Sequence, residues 1–593
     1  MRGIPVFLLC ITGLALAQQS TAEQPLVTAP IGKIRGSILT SRLGREIYSF
    51  RGIRYGEPPV GSQRFQPPIP AKDWHNVFDA TEEGPSCPQP NGTLVSEDCL
   101  RLNVYTTKLP CKSENVSRPV IIFIHPGGFY SFSGQSINFG PQYLLDKDIV
   151  LVTINYRLGA LGFLSTGDAA APGNMGLKDQ VAAFRWVQRN IAAFGGNPNS
   201  VTLCGDSAGS FSIMLHMVSP MSRNLFHRGI LMSSSAIGLE VYSGISQHGQ
   251  IQLVQKQARL LNCTTDSTSA MVECLRSKPV ENFIATLGSL FDWYETPILL
   301  WTPVVEPKVP GVERFLSVQP YDAIKQERFY QVPLMMGVTE EEFAGIIAYY
   351  ENATQEGNSV YPELSDNWNT LAPIVFMYER NTSRSNYISR ELWKFYFNDQ
   401  PINTANGKKL GEARIKFSLS FNYSLFSIEI IKKISNLFQI YCDSIITFPM
   451  YRAARLLATH SKLPVYFYKF AFQGRYSFYM LNATTPYGVC HQDDLQYLFF
   501  IKSRFPYFNS DAPEIPMVEI STSIWSNFAI NGEPIPKHDG PLRNVRWDKF
   551  VPEQNNFLEL NLHPSIKTEF FPKRMREWER LFPEPSVRKT VKH

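Results

Sequence analysis

A single large α/β domain, with a central, mostly parallel β-sheet flanked by helices, is the fold class this chain predicts, and three observations carry it. Four apolar or β-branched runs, Val120–Ile124, Ile149–Asn155, Val201–Cys204 and Val332–Val338, are too continuous for strands with one wet face. Such runs suit a sheet covered on both sides. Between them lie helical patterns, clearest in Leu177–Phe194, where Val181, Phe184, Val187 and Ile191 recur at spacings of three and four before Gly195-Gly196 closes the segment. No internal repeat or low-complexity linker divides the chain, so strand and helix alternate through one layered unit.

In chain order, the first element is a leader. Arg2, an apolar stretch from about Ile4 to Leu16, and the small-residue run Ala15-Leu16-Ala17 follow the order of a secretory signal peptide, expected to span residues 1–17 and leave 18–593 as the domain. The apolar run falls short of the roughly 18 residues a spanning helix needs and is interrupted by Thr12 and Gly13. No later segment reaches that length, and the end at Arg588–His593 carries neither an apolar tail nor a retention tetrapeptide. The expectation is a secreted, extracellular chain without a membrane anchor. Seven N-x-Ser/Thr sequons, at Asn91, Asn115, Asn262, Asn352, Asn381, Asn422 and Asn482, agree as glycosylation sites. Among nine cysteines, Cys87 and Cys99, and Cys263 and Cys274, are close in sequence across short polar loops, which suits two disulfides in an oxidising compartment. Cys204 and Cys490 read as buried free thiols; Cys111 and Cys442 are unassigned.

Composition narrows the class of function. The chain has 593 residues, 57 Lys+Arg against 52 Asp+Glu and a formal charge of +5, with no block of five like charges. That removes the electrostatic case for nucleic-acid binding. The 44% apolar and 13% aromatic residues fill a large core and exclude a mostly disordered chain. The cysteines are too scattered for zinc spacing, and no metal site is expected.

The residues that carry chemistry follow Val201–Cys204. Gly205-Asp206-Ser207-Ala208-Gly209 leads into an apolar helical pattern with Phe211, Met214, Leu215 and Val218, so G-x-S-x-G stands in a strand–turn–helix context. There it becomes a nucleophile turn: Ser207 takes strained backbone angles, and Gly205 and Gly209 leave room where a Cβ would clash. A serine nucleophile needs a base, an acid that orients the base, and donors for an oxyanion. His491, in Tyr487-Gly488-Val489-Cys490-His491-Gln492-Asp493-Asp494-Leu495, is the candidate base, whereas His538 and His563 lie in polar, surface-type loops. The acid is expected just after Val332–Val338, where Glu340, Glu341 and Glu342 are consecutive and chemistry alone does not choose among them. Val120–Ile124 runs into His125-Pro126-Gly127-Gly128. Pro126 has no N–H, so Gly127 and Gly128, with Ala208, become the expected oxyanion hole.

Together these residues resemble the type-B carboxylesterase and cholinesterase family, most of all the secreted carboxylesterases of insects, including the venom type. The resemblance extends through Phe50–Gly56, Arg64-Phe65-Gln66-Pro67-Pro68, Ser96–Tyr105, Asn155-Tyr156-Arg157-Leu158-Gly159, Gly173–Gln180 and Asn190–Pro198. It implies the α/β-hydrolase fold and selects Glu342, through the pattern Gly-Val-x-x-x-Glu over Gly337–Glu342. It also implies the two disulfides above, while Phe448 stands where the family's third would begin. Phe343, where the family usually has Gly, is expected to narrow the site. The Cys87–Cys99 loop lacks the Trp that cholinesterases stack on choline, so choline-ester specialisation is not expected.

The implied activity is carboxylic-ester hydrolysis by a Ser207–His491–Glu342 triad on small or lipophilic uncharged esters, with no cofactor. Pocket walls are expected from loops such as Phe291–Trp301. Two alternatives keep the fold: a silent adhesion or binding member, and a juvenile-hormone-type esterase, against which Asp206 argues because those enzymes usually have Gln there. The stretch 414–440, rich in Phe, Ser and Ile without a clean period, reads as an insertion.

Overall fold

The computed structural model describes residues 24–584, apart from 93, 112, 115, 239–246, 344–348, 351–352, 354–355, 401, 403–435, 482–484, 487 and 537–541. The expected leader, the sequons Asn115, Asn352, Asn422 and Asn482, His538 and all but the last residues of the 414–440 stretch lie outside the described residues.

An eleven-stranded sheet organises the molecule. From edge to edge its strands are Ser565–Lys567, Phe557–Leu560, Val465–Phe470, Leu334–Thr339, Arg228–Met232, Gly196–Asp206, Arg118–Ile124, Val150–Ile154, Arg101–Thr106, Glu46–Arg54 and Ser37–Thr40. The seven from Phe557–Leu560 to Val150–Ile154 are parallel, and antiparallel strands finish both edges. A small three-stranded sheet of Leu26–Ala29, Gly32–Arg35 and Phe78–Asp79 stands beside it.

The continuous apolar runs are explained by two cores, one on each face. All of Val120–Ile124 is fully buried, but alternate residues serve different layers. Val120, Ile122 and Ile124 join Phe184, Val187 and Phe211, whereas Ile121 and Phe123 join Ile524, Trp525 and Phe499. Period-2 alternation thus persists without a polar face to reveal it. The helices Met175–Asn190, Ala208–Val218 and Phe448–His460 supply residues to the first layer, and Ile515–Asn531 supplies the second. The expected helix 177–194 starts two residues earlier, and its last turn, Ile191–Phe194, is a tighter 3-10 turn. Gly195, at φ 80°, ends it by donating to the Ala192 carbonyl.

The family-like motifs outside the nucleophile turn are mostly buried ion pairs that tie distant segments. Arg157 forks onto Asp179 (Nη2–Oδ1 2.7 Å, Nε–Oδ2 2.8 Å), joining Asn155–Gly159 to Gly173–Gln180. Arg64 pairs with Glu97 at 2.5 Å and Lys178 with Glu306 at 2.7 Å. Disulfides join Cys87 to Cys99 and Cys263 to Cys274; Cys204, Cys442 and Cys490 are buried free thiols, and Cys111 is an exposed one. Asn91, Asn262 and Asn381 are exposed. Among the described residues no helix is long and apolar enough to cross a membrane.

Candidate active site

Strand order places the site. Arg118–Ile124 pairs on one side with Val150–Ile154, which follows it in the chain, and on the other with Gly196–Asp206, which comes later. The order reverses there, and the crevice beyond the strands' carboxyl ends is where an open α/β sheet binds ligands. The turn after Ile124 and the turn after Asp206 both open into it.

Ser207 sits between strand and helix at φ 53°, ψ −119°, outside the regions an L-residue prefers. Its N–H donates to the Met232 carbonyl at 2.8 Å, and its carbonyl accepts from the Phe211 N–H at 2.9 Å. The two glycines permit this. A Cβ on Gly209 would lie 2.0 Å from the Ile124 carbonyl oxygen, and one on Gly205 would lie 2.5 Å from the Gly209 carbonyl carbon. Both obstacles are backbone, so neither can move aside.

On the neighbouring strand, His125 is buried and stacks on Tyr156 with ring centroids 4.4 Å apart. Burial holds its pKa down to about 4, so the imidazole is neutral. Gly127 (φ 109°) and Gly128 (φ 58°) turn the chain behind Ser207, and Tyr130 and Ser131 both donate to the Gly127 carbonyl. Among the described residues, no protein acceptor meets the N–H groups of Gly127, Gly128 or Ala208, and all three residues line one cavity with Ser207 and His491. Unpaired backbone donors converging on a crevice form a place for negative charge.

The three consecutive glutamates have three different jobs. Glu340 pairs with Lys469 at 2.7 Å. Glu341 accepts from the Val489 N–H at 3.1 Å, and its own N–H donates to the Val489 carbonyl at 2.9 Å, which pins the histidine loop. Glu342, fully buried, accepts the Thr339 N–H on Oε1 at 2.8 Å and meets His491 Nδ1 through Oε2 at 2.6 Å. The His491 N–H also donates to the Glu342 carbonyl at 2.5 Å. Phe343 packs over the His491 ring at 4.8 Å and lines the cavity. His563 is exposed.

Behind the histidine lies a group of buried carboxyls that spacing did not reveal. Asp493 braces the loop, accepting from Ser477 Oγ at 2.7 Å and from the Phe478 and Cys490 N–H groups at 2.8 Å each. Burial raises its pKa to about 7. Asp494 is pushed up to about 8, first by burial and then by the charge of Glu342. Asp206, next to Ser207, is raised for the same first reason and then by the charge of Asp494. Like charges in a dry interior cannot all ionise, so protonated carboxyls lie beside the Glu342–His491 hydrogen bond.

The cavity, about 340 Å³, has mostly apolar walls: Ile298 and Leu299 from the loop at 291–301, Ile445 and Ile446, Phe343 and Phe478. Ile445, Ile446, Tyr479 and Arg504 come from segments without a sequence signal, because their approach depends on tertiary packing.

A parallel sheet carrying a strained serine at a strand–helix turn, with an imidazole and a carboxylate from later strands, defines the α/β-hydrolase class. Residues 23–578 match the model of the carboxylesterase family. Esterase FE4 of Myzus persicae is 34% identical over 90% of this chain and 91% of its own length. Venom carboxylesterase-6 of Apis mellifera is 32% identical over 94% and 93%. The crystal structure of the juvenile hormone esterase of Manduca sexta, with OTFP covalently attached, superposes with a TM-score of 0.79 at 25% identity, covering 94% of this chain and all of that one. The chain belongs to the carboxylesterase family and is an esterase.

Proposed function

We propose that this protein hydrolyses small or lipophilic uncharged carboxylic esters through an acyl-enzyme on Ser207. In this reading His491 Nε2 takes the Ser207 proton as Oγ attacks the ester carbonyl, while Nδ1–H stays bonded to Glu342. The developing oxyanion is held by the N–H groups of Gly127, Gly128 and Ala208, each typically worth about 3 kcal/mol of transition-state stabilisation. His491 then gives its proton to the leaving alcohol, and water enters by the same route to release the acid. The observation that carries the reading is the 2.6 Å contact of a buried Glu342 with His491, which lines one cavity with a serine held at φ 53°. The apolar walls support the substrate class, since each buried CH₂ gains about 0.8 kcal/mol and a buried charge would need a partner.

The residue roles, the leader at 1–17, the domain at 18–593, the seven glycosylation sites and secretion belong to the same proposal. The two disulfides and the exposed Asn91, Asn262 and Asn381 support an extracellular setting.

Hydrolysis of a short-chain 4-nitrophenyl ester by the parent and by Ser207→Ala tests the catalytic reading. Loss of activity in the variant is expected, and equal rates would overturn the assignment. The likeness to a juvenile hormone esterase favours a second reading, that the sesquiterpenoid ester is the substrate. A poor kcat/KM for that ester beside simple esters removes it.

A further inference from the structure

The wall formed by Ile445 and Ile446 belongs to an irregular piece of helix. Residues 436–442 are helical, and Phe448–His460 continues the same run, but between them Asp443–Thr447 forms a widened π turn in which the Phe448 N–H donates to the carbonyl of Asp443, five residues back. The cause lies in the next residue. Pro449 has no N–H, and inside a continuous helix its ring takes the space of the carbonyl four residues earlier, that of Ile445. Opening the turn by one residue relieves the clash. Since an α-helix advances about 100° per residue, one extra residue rotates everything before it by that amount.

The rotation has consequences on two sides. Ile445 and Ile446 face the cavity with Ser207 and His491. Asp443 is instead fully buried against the helix Pro572–Leu581, where Arg574 forks onto its carboxylate (Nε–Oδ2 2.8 Å, Nη2–Oδ1 2.5 Å). Tyr396 donates to the same Oδ2 at 2.7 Å, and Trp578 Nε1 donates to the Tyr396 hydroxyl at 2.8 Å. One residue earlier, Cys442 Sγ accepts the Phe343 N–H at 3.2 Å, beside the turn that carries Glu342. A one-residue slip would take an isoleucine off the wall and Asp443 out of its clamp.

We propose that Pro449, which does not line the cavity, is a specificity-determining residue: with the Asp443–Arg574 clamp it fixes the register of the π turn and so the size of substrate that reaches Ser207. This rests on the reading that the cavity holds the ester. The test compares kcat/KM for 4-nitrophenyl octanoate and 4-nitrophenyl acetate in the parent and in Pro449→Ala, per active site titrated with an organophosphate. Alanine restores the N–H and permits the α register. The octanoate-to-acetate ratio is expected to change by about 5-fold or more, since one methylene's worth of pocket shape is worth about 10-fold. Pro516→Ala, which removes an exposed proline from the first turn of Ile515–Asn531, should keep the parental ratio. An unchanged ratio in fully titratable Pro449→Ala overturns the inference. If that variant does not accumulate as folded protein, Arg574→Lys, which keeps the charge but loses the fork, decides by the same ratio. Full activity in Ser207→Ala would sink the catalytic reading, whereas an unchanged ratio sinks only this one.

Discussion

Replacing Glu342 by glutamine should cost about four orders of magnitude in kcat while leaving the fold nearly intact, and the geometry says why. The carboxylate accepts two hydrogen bonds, from the Thr339 N–H at 2.8 Å and from His491 Nδ1 at 2.6 Å. An amide of the same shape has only one acceptor oxygen. The Thr339 N–H is fixed by the backbone, so the oxygen must face it; the opposite orientation loses a buried bond worth about 1–3 kcal/mol. The NH₂ then points at His491 Nδ1, which must become an acceptor, and the ring proton moves to Nε2. That tautomer cannot take the Ser207 proton. The equivalent change in serine-protease triads lowers kcat about 10⁴-fold, or about 5.4 kcal/mol. The assay is single-turnover and steady-state hydrolysis of a 4-nitrophenyl ester, with thermal melting as the check on folding. Glu340→Gln is the control, because its carboxylate pairs with Lys469 on the other side of the turn, and its kcat should stay within about 3-fold of the parent. A folded Glu342→Gln enzyme within about 10-fold of the parent would refute the orientation argument.

Two further predictions concern stability. Asp494 keeps its proton in the folded chain up to about pH 8, whereas an unfolded aspartate loses it near 4. Its contribution is therefore fully present below about pH 4 and is lost as pH rises through about 8, at up to about 1.4 kcal/mol per pH unit. Asp494→Asn should flatten the fall in the urea midpoint between pH 5 and pH 8, and parallel profiles for variant and parent would contradict the assignment. Arg157→Ala leaves Asp179 charged and buried and should lower unfolding free energy by about 3–5 kcal/mol, as read by urea denaturation; a loss under about 1 kcal/mol would show that Asp179 finds another partner.

What the chain disclosed without coordinates was what local chemistry dictates. Gly205 and Gly209 flank Ser207 because any Cβ there strikes backbone, and a constraint that local is visible in five letters. The buried runs were visible because a strand covered on both faces has no polar residues to interrupt it. The choice among Glu340, Glu341 and Glu342 was not legible chemically. All three follow one strand, and which carboxylate reaches His491 depends on a loop 149 residues away; only the resemblance to a family selected Glu342. The burial of the Asp206 and Asp494 carboxyls was not legible for a related reason. An aspartate in a sequence reads as a solvated charge until burial by distant segments shows otherwise. Ile445 and Ile446 look like ordinary helical core residues, and the turn that aims them at the cavity is set by a proline several residues on. The lining Ile298 and Leu299 fall within the loop that the sequence offered as a pocket wall.

The proposed chemistry rests on one serine, and the most direct test is to find where a mechanism-based reagent bonds. Incubation with a fluorophosphonate followed by peptide mapping should give one adduct, on Ser207, slowed by an ester substrate and absent from Ser207→Ala. An adduct on another residue, or labelling of Ser207→Ala at the parental rate, would contradict the account.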